Sequence, residues 1–196
     1  LTINEQNMLT LVGPVIGTLH VPEGTTNLTK EIYQQNHHQL VAQAKAMQLC
    51  HEMLPDAKIG PAPNISLVYP ASSNFNALRN WLYLDAYVFG EYNNLAWAYL
   101  EENDALPTVT DEDRAIMKAA KPDFIGFNYY NTATVEASDG SEVAGANGDQ
   151  QSNQTFPGFA KSVDNPNLVK TEFGWEIDPI GFRATVREMY SRYRLP

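Results

Sequence analysis

Glu5 has the clearest chemical prospects in this sequence. It follows Asn4 at the end of the short β-prone run Leu1-Thr2-Ile3, so both polar side chains emerge where a strand stops. A carboxyl group so placed is a candidate general acid or base. Alone, an Asn-Glu pair at a strand end is more often an exposed pair or a helix cap. The pattern recurs twice, however: Asn64 closes the short apolar run from Ile59, and Asn128-Tyr129-Tyr130 closes the run from Asp123 to Phe127. In α/β folds ligands sit outside the carboxyl ends of the strands, so three such ends can share one pocket.

Other candidates carry less. His37 and His38 are neighbours on a helical pattern, point about 100° apart and cannot converge on one ion. No carboxylate at ligand spacing accompanies them, and helix packing accounts for both. His20 reads as a structural residue of a loop. Cys50 sits in an apolar helical pattern and reads as a buried, inert thiol. As the single cysteine it has no internal partner, which fits a reducing compartment.

The elements that must position these residues follow from periodicity. Leu40, Ala44, Met47 and Cys50 mark a helix over 31–54 that Pro55 stops. The run from Ile59 to Asn64 is a candidate strand, but Pro61 and Pro63 each lack a ladder donor, so it must be irregular. Leu78, Trp81, Leu82, Asp85 and Phe89 mark a helix over about 75–89, which Gly90 interrupts and Leu95 to Leu100 resumes. Thr110 and Asp113 have capping-box spacing, and that helix ends before Pro122. Residues 131–167, rich in Gly, Ser, Asn and Asp, read as a long functional or mobile loop. Asp178-Pro179 starts a last helix with Phe182, Val186, Met189 and Tyr193 on its buried face, and Arg192 and Arg194 suit its C-terminal dipole.

Strands alternating with helices predict an α/β fold with parallel strands. A complete (β/α)8 barrel needs eight strands and about 250 residues. Three candidate strands make part of one. The 196 residues suffice for one domain; their net charge of −10, without any Lys/Arg cluster, argues against a nucleic-acid partner. No apolar run approaches the ~20 residues of a membrane span, and no basic-then-apolar leader opens the chain. Its first residue is Leu1 rather than methionine, so targeting is judged only from what is present.

Several segments, in order and across nearly the whole chain, resemble glycoside hydrolase family 1, the β-glucosidase and 6-phospho-β-glycosidase family. They are Thr2-Ile3-Asn4-Glu5-Gln6, Asn36-His37-His38 with Ala44-Lys45-Ala46, the run from Asp123 to Tyr130, and Gly174-Trp175-Glu176-Ile177-Asp178-Pro179. Arg192-Tyr193-Arg194-Leu195-Pro196 resembles the stretch just before the family's nucleophile strand. The resemblance implies a retaining β-glycosidase on a (β/α)8 TIM barrel. This chain would be its central part as a single domain, from about the fourth strand to just before the seventh.

By the same resemblance Glu5 is the general acid/base and Asn4 binds the sugar 2-hydroxyl. Tyr130 holds the nucleophile carboxylate, Asn128 supports the pocket, and Trp175 walls the aglycone site. Thr171-Glu172-Phe173-Gly174 imitates the nucleophile motif but precedes the Gly-Trp-Glu-Ile-Asp-Pro segment and carries Phe where Asn is expected. Glu172 is therefore read as non-catalytic and the nucleophile as lying beyond Pro196, which leaves the fragment alone inactive.

Gln6 stands where ordinary β-glucosidases carry proline, and this places the resemblance nearer the 6-phospho-β-glycosidase branch. The expectation is a cytoplasmic 6-phospho-β-glucosidase with no metal or organic cofactor. Its partners are a small β-glycoside, with or without a 6-phosphate, and the missing barrel segments or a second copy; nucleic acid and membrane are not among them. The alternatives are an unphosphorylated β-glucosidase or β-galactosidase, and an inactive sugar-binding fragment.

Overall fold

Pro61 and Pro63 shape the centre of the fold. In the computed structural model, which describes residues 1–10, 13, 19–69, 73–139 and 160–196, residues 59–64 lie between 2–5 and 123–128. Both neighbours run parallel to them, through bridges Asn4↔Ala62 and Asn64↔Asn128. The Gly60 and Ala62 carbonyls accept from the amides of Thr2 (3.1 Å) and Glu5 (2.8 Å). The Ile59, Pro61 and Pro63 carbonyls, facing the other way, accept from Asp123 (2.8 Å), Gly126 (3.1 Å) and Asn128 (2.9 Å). The two prolines supply acceptors but no donors, so this ladder runs one way until Ile65 N–H reaches the Asn128 carbonyl at 2.9 Å. Three steps from Asp123 to Gly126 oppose two from Ile59 to Pro61, the extra-residue geometry of a bulge. The expected irregularity is present. On the far side of 123–128, Ile125 N–H donates to the Pro196 carbonyl at 2.9 Å.

Beyond Asn64 the chain continues into β1 (Val68–Tyr69), which pairs in parallel with β2 (Ala133–Ala137); β2 pairs antiparallel with β3 (Ala160–Ser162). Two strands therefore stand where a loop over 131–167 was predicted. Ala133 and Val135 face inward against Val68, Phe75 and Ala160, a period-two signal too short to stand out among polar residues. Residues 140–159 of that prediction lie outside the described residues, as do 11, 12 and 14–18. A small hairpin, β4 (Val169–Lys170) with β5 (Glu176–Ile177), follows.

The helices match the periodicity with two corrections. α1 (Leu28–Met53) is capped by Asn27, whose side chain accepts from Lys30 N–H. The predicted helix over 75–89 is instead α2 (Ser73–Asn76), a π-helical turn (Ala77–Trp81) and α3 (Leu82–Phe89), ending at left-handed Gly90 (φ 71°). A Cβ at Gly90 would stand 2.5 Å from Lys118 Cα, so only glycine fits. The wider turn buries every side chain from Ala77 to Trp81, Arg79 and Asn80 included.

α4 (Asn94–Glu102) and α5 (Asp111–Ala119) follow, then α6 (Pro179–Tyr193), capped by Asp178. The buried face of α6 is Gly181, Thr185, Met189 and Tyr193; Phe182 and Val186 are 45% and 41% exposed, contrary to expectation. A Cβ on Gly181 would meet Asp178 Oδ2 at 2.2 Å and Thr132 Oγ1 at 2.8 Å, so in the first two turns this close approach buries Gly181 and Thr185 in place of Phe182 and Val186, while Met189 and Tyr193 are buried as expected. Cys50 is only half-buried, another correction.

The main core joins α1, the π-turn, α3 and α5 to Met189 and Tyr193 of α6. Arg192 leaves the helix dipole for buried Asp85 of α3, donating from Nε (2.9 Å) and Nη2 (2.5 Å). Tyr193 Oη and Asn93 Nδ2 donate to the same carboxylate, each at 2.8 Å. Arg194, also assigned to the dipole, is the left-handed residue that closes α6 (φ 57°).

The Thr110–Asp113 capping box is fully formed. Hydrogen bonds from the Thr110 hydroxyl and backbone, then the nearby His37, hold the Asp113 carboxyl down at about 2. Its stabilising effect is complete above the unfolded pKa of about 3.9 and is lost as pH falls through the folded value. Asp113→Asn should therefore destabilise the full-length protein at neutral pH. In urea titrations the gap to the parent should close between about pH 4 and pH 2; a gap that persists at the acid end would assign the effect elsewhere.

Candidate active site

The three parallel segments end together, and their polar side chains meet. Glu5 is half-buried and takes a left-handed backbone (φ 49°), a conformation that costs a non-glycine residue about 1 kcal/mol. Its Oε1 accepts from Asn128 Nδ2 at 2.6 Å and from Asn64 Nδ2 at 3.3 Å. Asn128 Nδ2 also donates to Asn4 Oδ1 at 3.1 Å. Tyr130, 38% exposed, lies beside the Glu5 carboxylate, and burial followed by that negative neighbour pushes its phenol up from the ordinary value. The phenol is thus a donor at neutral pH. Trp175 packs edge-on against the Tyr130 ring with centroids 5.4 Å apart, and Phe173 packs on Trp175 at 5.0 Å. All five predicted residues, Asn4, Glu5, Asn128, Tyr130 and Trp175, therefore form one connected cluster.

Glu172 is elsewhere. Thr171 N–H donates to the Trp175 carbonyl (2.8 Å) and Gly174 N–H to the Thr171 carbonyl (2.9 Å), which puts Glu172 in the exposed turn of the β4–β5 hairpin. His37 is buried; its Nδ1 lies 2.7 Å from the Tyr92 hydroxyl and its Nε2 3.3 Å from Asp113. Burial lowers its pKa despite Asp113, so the ring is a structural link. His38 pairs with Gln34 on the surface, and His20 lends its carbonyl to Gln35. Among the described residues no group of three His, Cys, Asp or Glu side chains could hold a metal ion, and no helix is long and apolar enough to cross a membrane.

Sequence reasoning missed what lies beneath the cluster. Arg79, 1% exposed, donates from Nη2 to Asn64 Oδ1 (2.5 Å) and from Nη1 to the Asn64 carbonyl (2.8 Å). Burial lowers its guanidinium to about 10, partly offset by Tyr83 and Glu5, so it stays charged at neutral pH. Buried Asn7 holds Asn64 from the other side, accepting from its backbone N–H (2.9 Å) and donating to its carbonyl (2.6 Å). An available signal was a lone cation within the largely apolar run 75–89, because charges are rarely buried without partners. The arrangement can present a carboxyl group, steadied by amide and phenol donors beside an aromatic wall, to a small polar ligand.

The profile of Glycosyl hydrolase family 1 matches residues 1–196. An aryl-phospho-β-D-glucosidase, BglC, of Bacillus subtilis is 37% identical over 210 aligned positions, covering 100% of this chain and 43% of that protein. A 6-phospho-β-glucosidase of Dickeya chrysanthemi is 35% identical, covering 100% of this chain and 41% of its own length. Among solved structures, a family 1 β-glucosidase from Thermotoga maritima superposes with a TM-score of 0.74 at 25% identity, over 100% of this chain and 41% of its own. The chain thus spans about two-fifths of the length of these relatives, and its fold is part of their TIM barrel.

Arg79→Met would keep the bulk but remove two charge-assisted bonds from Asn64, including the one that fixes its Oδ1. We expect a stability loss of about 1–3 kcal/mol by denaturant titration. A crystal structure of the variant should show the Asn64 carboxamide turned away from Glu5; an unmoved Asn64 would contradict the coupling.

Proposed function

The chain belongs to glycosyl hydrolase family 1, and from that membership we propose that the whole protein is a retaining β-glycosidase hydrolysing 6-phospho-β-glucosides, with Glu5 as its general acid/base. One observation carries the assignment of Glu5: its carboxyl group sits at the converging ends of three parallel segments, hydrogen-bonded by Asn64 and Asn128 with Tyr130 beside it. Residues 1–196 are read as one domain, the barrel from about its fourth strand to just before its seventh.

The chemistry divides into two steps. Protonated Glu5 gives its proton to the glycosidic oxygen as the bond to the anomeric carbon breaks, while a second carboxylate about 5–5.5 Å away attacks that carbon. Glu5, now a carboxylate, takes a proton from water as the water's oxygen displaces the sugar from the second carboxylate. Asn4 faces the sugar 2-hydroxyl in this reading, Asn128 keeps Asn4 and Glu5 in register, and Trp175 offers an apolar wall to the aglycone. Glu172, in its hairpin turn, is not the nucleophile. That group is assigned to a part of the protein outside these 196 residues, in keeping with relatives more than twice as long.

The 6-phosphate is supported by relatives at 35–37% identity whose names specify phospho-glucosides, against solved β-glucosidases at about 25%. Cytoplasmic residence is proposed with it, in keeping with the unpaired Cys50. Exposed Ile180, Phe182 and Val186 of α6 are proposed to be covered by the remaining barrel or a second copy.

Two assays on the full-length enzyme test the reading. Paired aryl β-glucosides with and without the 6-phosphate should differ at least about 100-fold in kcat/KM, because a site built for a charged group leaves its donors unpaired with the neutral analogue. Equal rates, or a preference for the neutral sugar, would make it an unphosphorylated β-glucosidase. Glu5→Gln should cripple kcat/KM for glycosides with poor leaving groups and spare activated ones, whose departure needs no proton; equal loss on both would remove Glu5 from this role.

A further inference from the structure

Directly behind Glu5 lies a buried polar cluster that the proposed chemistry does not use. Gln6 is 0% exposed, and Gln43, Asn36 and Tyr87 around it are buried as well. Gln6 Nε2 donates to the Asn36 carbonyl of α1 at 2.9 Å. Gln6 Oε1 accepts from Gln43 Nε2 of α1 and from the Tyr87 hydroxyl of α3, the latter at 3.1 Å. Gln43 turns its own Oε1 to the Thr2 hydroxyl. One helical side chain thus grips the same segment on both sides of Glu5, at positions 2 and 6. Burial raises the Tyr87 phenol well above its ordinary value, so it remains a donor at any working pH.

A fully buried amide without these partners would be costly, and with them it holds only one orientation. The residue before it is the one in a left-handed backbone. Such a conformation persists where its surroundings over-determine it. Downstream, buried Asn7 is tied to Asn64 in both directions. Glu5 thus lies between anchored neighbours, and its own backbone is held as well, its N–H donating to the Ala62 carbonyl (2.8 Å) and its carbonyl accepting from Met8 N–H (2.9 Å); together these contacts set the direction of its Cα–Cβ bond.

We propose that Gln6 is a positioning residue, whose amide, clamped by Asn36 and Gln43 of α1 and Tyr87 of α3, holds the left-handed turn that aims the Glu5 carboxyl group at the leaving oxygen. The inference rests on Glu5 being the acid/base. A shift of about 1 Å in a reacting group can cost on the order of 100-fold in rate. Loss of the clamp should therefore act on proton donation to the leaving group and leave the rest of the site intact.

The test uses the full-length enzyme carrying Gln6→Leu, Tyr87→Phe, Glu5→Gln, and Glu5→Gln combined with each of the other two. kcat/KM is measured on an activated dinitrophenyl glycoside and on an unactivated phenyl glycoside, both bearing the sugar the paired assay selects. This parameter reports bond cleavage up to the covalent intermediate and is insulated from the later hydrolysis.

Gln6→Leu should lose on the order of 100-fold on the phenyl substrate and no more than about threefold on the dinitrophenyl one. Tyr87→Phe, which removes one hydrogen bond and keeps the ring, should show the same split at about 5–10-fold. Neither should lower activity further once Glu5 is glutamine. Equal losses on both substrates, or additive losses with Glu5→Gln, would make Gln6 a packing residue and overturn the proposal. If Gln6→Leu fails to fold, Tyr87→Phe decides by the same split. A Glu5→Gln enzyme that itself shows no split would instead sink the acid/base reading, and this inference with it.

Discussion

A buried guanidinium organises the site. Arg79 has no water to solvate it, so its charge must be met by oxygens, and Asn64 supplies both its carbonyl and its Oδ1. Spending Oδ1 on the cation leaves Nδ2 to face the other way, towards Glu5. The carboxamide relays polarity from a buried positive charge to the carboxyl group that reaction would use. Charge-assisted hydrogen bonds are about twice as strong as neutral ones, which makes the opposite amide orientation the worse one. The π-helical turn carries Arg79 and Asn80 into the same buried position beneath Asn64 and Ser66, Asn80 Nδ2 donating to the Ser66 carbonyl at 2.9 Å.

The backbone of the pocket depends on a second constraint of similar kind. Segment 59–64 must sit between two parallel neighbours while two of its residues have no N–H. It does so by offering carbonyls alternately to each side, so that every neighbour donates to it and few donations return. Fewer ladder bonds leave less to hold the register. Asp123 compensates at the opposite end from the site: its Oδ2 accepts from Ile59 N–H (2.9 Å) and His51 (2.8 Å), and its Oδ1 from Lys58 (3.1 Å). His51 chiefly, then the Ile59 amide, hold the Asp123 carboxyl well below the usual carboxylate range. Stability and chemistry thus occupy opposite ends of the same segments, as in barrels generally.

The candidate site was legible because it lies on residues whose types are conspicuous at strand ends: Asn4-Glu5, Asn64 and Asn128 to Tyr130. The helices were legible where caps are encoded locally, as with Thr110–Asp113 and Asp178-Pro179. The misses were all set by contacts distant in sequence. Nothing local distinguishes a π-turn from an α-turn over 77–81; the partner of Arg79 is 15 residues away, and Asp85 finds Arg192 across 107. The burial of Gly181 in place of Phe182 likewise depends on Thr132, a residue assigned to a loop. Strand β2 was hidden because its pairing with β1 and β3, rather than its composition, makes it a strand.

These misses share a physical cause. The interior here is polar to an unusual degree near Glu5: Gln6, Asn7, Asn36, Gln43, Asn64 and Arg79 are all buried. An apolar core of the same volume would be at least as stable, since desolvating such groups consumes most of what their hydrogen bonds return. What polar contacts add is direction. A leucine can be repacked with little penalty, whereas an amide with three filled bonds has one acceptable orientation. Periodicity detects apolar faces and is blind to such networks, so sequence patterns recover the scaffold more readily than its aim. For the proton delivery proposed for Glu5, to one oxygen and not to the solvent, aim is the scarcer quantity, and the buried amides behind Glu5 are the groups proposed to supply it.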